Sequence, residues 1–208
     1  MNTKINSTNN LDSLEDNKII NLVDSHPIEE HKDNIRNPGI DFRLDEISSI
    51  SINKSAVERR CSNYGTRRSI KKDKQAAWLL KAISLMDLTT LSGDDTEARV
   101  KRLCSKAKQP ISTNLEKALG VESLNLSVAA VCVYHDMLSA AKNAIRDTQI
   151  NLAAVSTGFP AGLSPLPIRI QEIEYSIDSG ANEIDIVISR RHVLEGNWEA
   201  LYEEVKTF

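Results

Sequence analysis

The chain has no disulfide framework. Its three cysteines, Cys61, Cys104 and Cys132, are odd in number and show no pairwise spacing, which points to a reducing compartment. No apolar run approaches the roughly 18 residues that a membrane span needs. The first ten residues have no apolar core, and Asp12, Glu15 and Asp16 suit neither a secretory signal nor a transit peptide. The expected location is therefore the cytosol. Charge of one sign is not in excess either: a net charge of -3 gives no support to a general nucleic-acid or anionic-membrane role. Neither Gly-x-Gly-x-x-Gly nor Gly-x-x-x-x-Gly-Lys-Ser/Thr follows any expected strand, so the two strongest nucleotide-binding signatures are missing. His26, His31, His135 and His192 have no metal-ligand spacing, and neither a metal nor a cofactor is expected.

What is present divides into two unequal parts. The 208 residues, 40% of them hydrophobic, have room for one or two domains. From Met1 to about Arg43 the chain is rich in Asn, Ser, Asp and Lys. It cannot bury enough surface there to offset its ordering entropy, so disorder is expected, with Leu11–Val23 at most a frayed helix. Ile47–Ile52 is ambiguous between a short strand and a loop. Arg59, Arg60, Arg67, Arg68, Lys71 and Lys72 form a basic stretch that reads first as a solvated face.

From Asp73 onward the pattern is regular. Asp73 is placed to cap a helix with Ala76, Ala77, Leu80 and Ile83 on its apolar stripe. Leu85–Leu91 reads as a strand, Ser92–Thr96 as a turn and N-cap, and Val100, Leu103, Cys104 and Ala107 as a helix face before Pro110. The unit recurs with a strand at Ala129–Tyr134 and a helix capped by Asp136. It recurs again with a strand at Leu152–Ser156 and a helix carrying Ile170, Ile173 and Ile177 up to Gly180. The last unit is a strand at Glu183–Ile188, then a helix capped by Asn197 with Trp198, Leu201, Tyr202 and Val205 on one face. Strand-helix alternation of this kind implies an α/β fold with a parallel sheet and right-handed crossovers. An open doubly wound sheet and part of a (β/α)8 barrel both fit it.

Asp185 is the residue that points to chemistry. It interrupts an apolar run expected to be a buried parallel strand, where a carboxylate is costly unless paired, hydrogen-bonded or protonated. That makes it the leading acid/base candidate, although a strand-end aspartate can also serve only to accept backbone hydrogen bonds. Asp87 and Thr89 share one side of their strand, as Asp185 and Val187 do of theirs. Polar groups near C-terminal strand ends suit the catalytic mouth of a barrel. Cys132, inside an apolar strand, is more often a small core residue than a reactive thiol.

Several blocks are more specific together than any is alone. They are Gln75–Ala82 running into Met86–Thr96, then Ala130–Tyr134, Val155–Gly162, Gly180–Ile188 and Trp198–Tyr202. In this order and approximate spacing, from about Ala56 to Phe208, the sequence resembles deoxyribose-phosphate aldolase in its eukaryotic form. His135 departs from the family's usual proline after that tyrosine.

The resemblance implies a (β/α)8 TIM barrel, with only the first four βα units in residues 56–208, preceded by a helix and a largely disordered extension over residues 1–55. It implies a class I aldolase that cleaves 2-deoxy-D-ribose 5-phosphate to glyceraldehyde 3-phosphate and acetaldehyde through a lysine Schiff base, with no cofactor. Asp185 falls at the proton-relay aspartate; Asp87 has a supporting catalytic role; Thr89 and Cys132 fall at positions that line the substrate pocket. The partner implied is the small sugar phosphate, with no nucleic acid or membrane, and homo-oligomers are compatible with it. In the family the Schiff-base lysine lies on the sixth strand and a second lysine on the seventh. Here Lys81, Lys101, Lys106, Lys108, Lys142 and Lys206 fall on helix faces or ends and none within a strand. The 208 residues alone are therefore expected to be inactive, and poorly soluble, oligomeric or molten because a partial barrel exposes sheet edges. They would be a piece of a longer aldolase, a truncated product acting as an interaction module, or an independent α/β protein reusing the half-barrel.

Overall fold

The computed structural model of the protein describes residues 41–67 and 69–208. The expectations about residues 1–40, including Leu11–Val23, His26 and His31, lie outside the described residues. In chain order the elements are α1 (Leu44–Ser49), α2 (Lys54–Ser62), α3 (Lys72–Ile83), β1 (Asp87–Thr89), α4 (Glu97–Lys108), α5 (Thr113–Leu119), β2 (Ala130–Val133), α6 (Leu138–Ile145), β3 (Asn151–Val155), α7 (Leu166–Asp178), β4 (Glu183–Asp185), α8 (Arg190–Leu194) and α9 (Trp198–Thr207). β1 and β2 are hydrogen-bonded neighbours, as are β3 and β4. The expected α/β alternation is thus observed.

The described residues fall into two compact units. The first holds Ile70–Cys132 and Ala140–Asn151. In it β1 pairs with β2 in parallel, with Asp87 opposite Ala130, Leu88 opposite Val131 and Thr89 opposite Cys132. Ala130–Val133 is buried throughout, as a strand covered on both faces should be. Val100, Cys104 and Ala107 form the buried stripe of α4, and the Ala107 carbonyl accepts from the Val128 amide at 3.1 Å. A second cluster joins Leu80 of α3 to Val121 and Leu126, with Ile83, Ile111, Leu119 and Leu124 packed around it. Two polar side chains set helix starts where the sequence places them: Thr96 accepts from the Arg99 amide and, in the second unit, Asn197 from that of Ala200. Ser112, which accepts from the Leu115 amide, caps α5, a helix the sequence reading did not include.

The second unit holds Val133–Ser139 and Leu152–Phe208, with the described residues up to Ser69. Here β3 pairs with β4 in parallel, with Ala153 opposite Glu183, Ala154 opposite Ile184 and Val155 opposite Asp185. Leu152, Ala153, Ala154 and Val155 are buried. Asn182 extends the pairing: its amide donates to the Leu152 carbonyl at 2.9 Å, and its side-chain oxygen accepts from the Leu152 amide at 2.7 Å.

Several expectations need correction. Ile47–Ile52 is neither strand nor loop throughout, because α1 covers Leu44–Ser49. The N-cap of α3 is Lys71, without a side-chain cap bond; Asp73 lies in the first turn, where its charge complements the helix dipole. Asp136 does not cap α6 but sits within a 3-10 turn, His135–Met137, that precedes it. β1 and β4 are each three residues long, far shorter than the apolar runs suggested. Among the described residues β1 forms a ladder with β2, and β4 with β3. Ile177 and Val205 are exposed. The buried positions of α7 are Arg169, Ile173 and Ser176, and that of α9 is Glu204.

His135, the departure from the family pattern, is anchored. Its Nδ1 lies 2.8 Å from Ser176 Oγ, and Ser176 donates its own proton to the Glu172 carbonyl at 2.9 Å. The imidazole therefore donates from Nδ1.

The turn after β3 is tightest at Gly162. Its φ is +68°, and an added Cβ would come within 2.8 Å of Val187 Cγ1 and 3.1 Å of the Ile188 carbonyl. Gly162→Ala combines a left-handed backbone with a steric clash and should cost about 1–3 kcal/mol. Urea denaturation of the variant checks this, and an unchanged midpoint would mean that the turn can move away from Val187.

Candidate active site

Of the four site residues singled out in the sequence, the structure puts Thr89 and Asp185 at the C-terminal ends of β1 and β4, Asp87 at the start of β1 and Cys132 inside β2. In the first unit Thr89 stands opposite Cys132 and Asp87 opposite Ala130, so these paired residues share one face. Asp87 and Thr89 are exposed, while Cys132 is buried with 1% of its surface accessible. Asp185 lies in the second unit as the last residue of β4, opposite Val155. It is exposed, as is Ile186 after it. The expectation of a carboxylate buried in a long apolar strand is therefore corrected: β4 is three residues long, stops at Asp185 and leaves it exposed.

The loop after β1 is stapled by a carboxylate. Thr90 Oγ1 donates to the Asp95 carboxylate at 2.9 Å, the Ser92 amide donates to Asp95 Oδ2 at 3.1 Å, and Arg99 donates to Asp95 Oδ1 at 3.1 Å. Burial alone would raise the Asp95 carboxyl, but the hydrogen bonds from Thr90, Arg99 and Ser92 and the Arg99 charge together hold it below its ordinary value. Next to this staple, a cavity of about 210 Å³ is lined by Thr89, Thr90, Arg99, Arg102, Leu103 and Lys106.

In the second unit the chain past β4 is held by side chains. The last ladder bond runs from the Ser156 amide to the Asp185 carbonyl at 2.9 Å. Thr157, with φ of 59°, turns the backbone of β3 away, and its hydroxyl takes over. It accepts from the Val187 amide at 2.6 Å and donates to the Val187 carbonyl at 3.0 Å. Arg169 ties the same points together. Its Nε donates to the Thr157 carbonyl at 2.9 Å and one Nη to Ser189 Oγ at 3.0 Å. The other Nη bonds both the Val187 carbonyl and Glu204 Oε1, the latter at 3.0 Å. Glu204 Oε1 also accepts from the Ser189 amide at 2.7 Å. The pair is nearly sealed, with side-chain exposures of 3% for Arg169 and 7% for Glu204. Burial alone would raise the Glu204 carboxyl, yet hydrogen bonds from Ser189 and Arg169 and the Arg169 charge keep it below its ordinary value. Phe208 stacks on the Arg169 guanidinium, 4.7 Å from ring centroid to carbon.

A cavity of about 620 Å³ borders this cluster, with Gly162, Ser164, Arg169, Arg190, His192 and Glu204 among its lining residues. Asp185 does not line it. Sequence reasoning missed Arg169 and Glu204, because charged residues at helix positions read as solvent-facing, and Thr157, because it reads as an ordinary loop residue. Among the described residues no group of three His, Cys, Asp or Glu side chains is arranged to hold a metal ion, and no helix is long and apolar enough to cross a membrane.

Two parallel β-α-β pairings with acidic residues on their outer strands define a class: an α/β protein whose polar groups gather at strand ends. No family model matches the chain. Among curated proteins it is 49% identical to deoxyribose-phosphate aldolase of Mus musculus over 172 residues, which is 82% of this chain and 54% of that protein. It is 48% identical to deoxyribose-phosphate aldolase of Homo sapiens over 174 residues, 83% of this chain and 55% of that one. The chain is similar in sequence to these deoxyribose-phosphate aldolases and spans about half the length of the curated relatives it matches. A crystal structure from Coccidioides immitis, whose own assignment as such an aldolase is provisional, shares the fold at a TM-score of 0.51 and 19% identity, covering 76% of this chain and 56% of that one.

Two outcomes follow from the charge networks. The lowered carboxyl of Asp95 contributes stability that is fully present above the unfolded-state value of about 3.9 and is lost as pH falls through the lower folded-state value. Asp95→Asn should therefore lower the thermal midpoint at neutral pH, and the gap to the wild type should close in acid. A gap independent of pH would remove the electrostatic account. Arg169→Met leaves Glu204 buried and unpaired and should cost about 3–5 kcal/mol, with Arg169→Met/Glu204→Leu recovering part of the loss. Chemical denaturation of both variants reads this.

Proposed function

We propose that residues 56–208 form the first four βα units of a (β/α)8 barrel, preceded by an extension over residues 1–55. We propose further that the protein they build is a class I aldolase of deoxyribose phosphate catabolism. The identity of 49% over 172 residues to a protein named deoxyribose-phosphate aldolase carries this reading. The shared fold of the Coccidioides immitis structure supports the architecture.

The reaction is cleavage of 2-deoxy-D-ribose 5-phosphate to glyceraldehyde 3-phosphate and acetaldehyde. A lysine amine condenses with the substrate aldehyde, releasing water, and the resulting iminium accepts the electron pair of the breaking carbon–carbon bond. The hydroxyl proton on the carbon that becomes the new aldehyde must leave as that bond breaks, and the enamine carbon must later gain a proton. Asp185 is the carboxylate proposed to relay these protons through water, with Asp87 in a supporting catalytic role. Thr89 and Cys132, neighbours in register on β1 and β2, are proposed to line the substrate pocket. The lysine is proposed to lie outside residues 1–208, since no lysine among the described residues falls within a strand. The cytosol is the proposed location, consistent with three free cysteines. The proposed partner is the sugar phosphate, without nucleic acid or membrane; homo-oligomers are compatible with this role.

Borohydride reduction in the presence of 2-deoxy-D-ribose 5-phosphate tests the reading by mass spectrometry. Residues 1–208 alone should give no adduct, whereas the longest natural product carrying them should be trapped on a single lysine. An adduct on the short chain would place the nucleophile within it. No adduct on either would sink the aldolase assignment.

A further inference from the structure

Asp185 is exposed as the last residue of the three-residue strand β4. The backbone that follows helps to set where such a side chain stands. Proton relay needs a fixed position, because a carboxylate displaced by about 1 Å loses much of its effect. The structure supplies a hold two residues further on.

We propose that Thr157 and Arg169 are positioning residues for Asp185. They fix Val187 and Ser189 and so set where the Asp185 carboxylate stands; this rests on the reading of Asp185 as the proton relay. Three observations carry it. The backbone ladder of β3 and β4 ends with the bond from the Ser156 amide to the Asp185 carbonyl. One residue later the left-handed Thr157 takes its own backbone out of register, yet its hydroxyl bonds both the amide and the carbonyl of Val187. The side chain thus stands in for the missing strand partner. Arg169 then locks this surrogate from both sides, binding the Thr157 carbonyl, the Val187 carbonyl and Ser189 Oγ. Glu204 holds Arg169 and the Ser189 amide through one oxygen. The clamp therefore begins where the sheet stops and encloses the two residues that follow Asp185.

No part of the clamp needs to touch substrate. Its effect should reach the reaction only through Asp185, which distinguishes it from a residue that merely keeps the protein folded. A mutant cycle on the longest natural product that carries residues 1–208 makes that distinction. Thr157→Val keeps the shape but removes the hydroxyl; it should lower kcat at least about 10-fold with KM changed less than about twofold. Thr157→Ser restores the hydroxyl and should return kcat to within about threefold of wild type. In an Asp185→Asn background, Thr157→Val should change the residual rate less than about twofold, because the group it positions is gone. Ser189→Ala, a milder cut in the clamp, covers the case in which Thr157→Val does not fold; it should show a smaller loss with the same non-additivity.

A Thr157→Val or Ser189→Ala loss that persists undiminished in the Asp185→Asn background would overturn the proposal, as would wild-type kcat in Thr157→Val or failure of serine to rescue. Failure of the underlying reading looks different: Asp185→Asn alone would then retain wild-type kcat, or the parent would show no aldolase activity. Either result removes the relay and the positioning role with it.

Discussion

The second unit depends on one buried ion pair. Removing Arg169 and Glu204 from water is expensive, and the geometry offsets that because the guanidinium makes four hydrogen bonds and one Glu204 oxygen accepts two. The guanidinium bonds two carbonyls, one hydroxyl and one carboxylate, while the carboxylate also takes an amide. The contacts reach the end of β3, the chain past β4, α7 and α9. A hydrophobic pair could fill the same space, but it could not satisfy the carbonyls of Thr157 and Val187, which lie beyond the sheet's own ladder. Charge is used here to terminate a sheet, and the cost is borne where backbone groups would otherwise be orphaned.

The first unit solves the same problem differently. After β1 a single carboxylate, Asp95, gathers a hydroxyl, an amide and a guanidinium, so the loop is closed locally within a few residues of sequence. The clamp of the second unit joins residues 35 apart. A local staple and a long-range clamp thus serve equivalent places in successive parallel pairings. The local one forms with little loop-closure entropy and the distant one requires most of its unit to be in place.

Much of the fold was legible in the sequence, for identifiable reasons. β2 and β3 were read nearly to the residue because both are buried, and burial on two faces writes an uninterrupted apolar run. Thr96 and Asn197 were found because N-caps have a short list of residues. The misreadings of α7 and α9 share one cause, which is that apolar residues were taken to mark the buried side. In α7 the buried stripe is Arg169, Ile173 and Ser176, one position away from the apolar triplet of Ile170, Ile173 and Ile177. In α9 it centres on Glu204 while Val205 is exposed. Polar residues that are buried with partners carry no signal in a hydrophobic pattern, since the partner's position is a tertiary fact. For the same reason the sequence could single out Asp185 as an unusual residue but could not reveal the clamp behind it.

The spacing of that clamp has a consequence for how the protein is made. Thr157, Arg169 and Val187 leave the ribosome before Glu204 does. At about 5–20 residues per second, the 35 residues from Arg169 to Glu204 take roughly 2–7 s to synthesise. Val187 follows about halfway through that interval, but Glu204 comes only at its end, and a guanidinium without its carboxylate partner resists burial. Sealing of Arg169 should therefore wait for the emergence of α9.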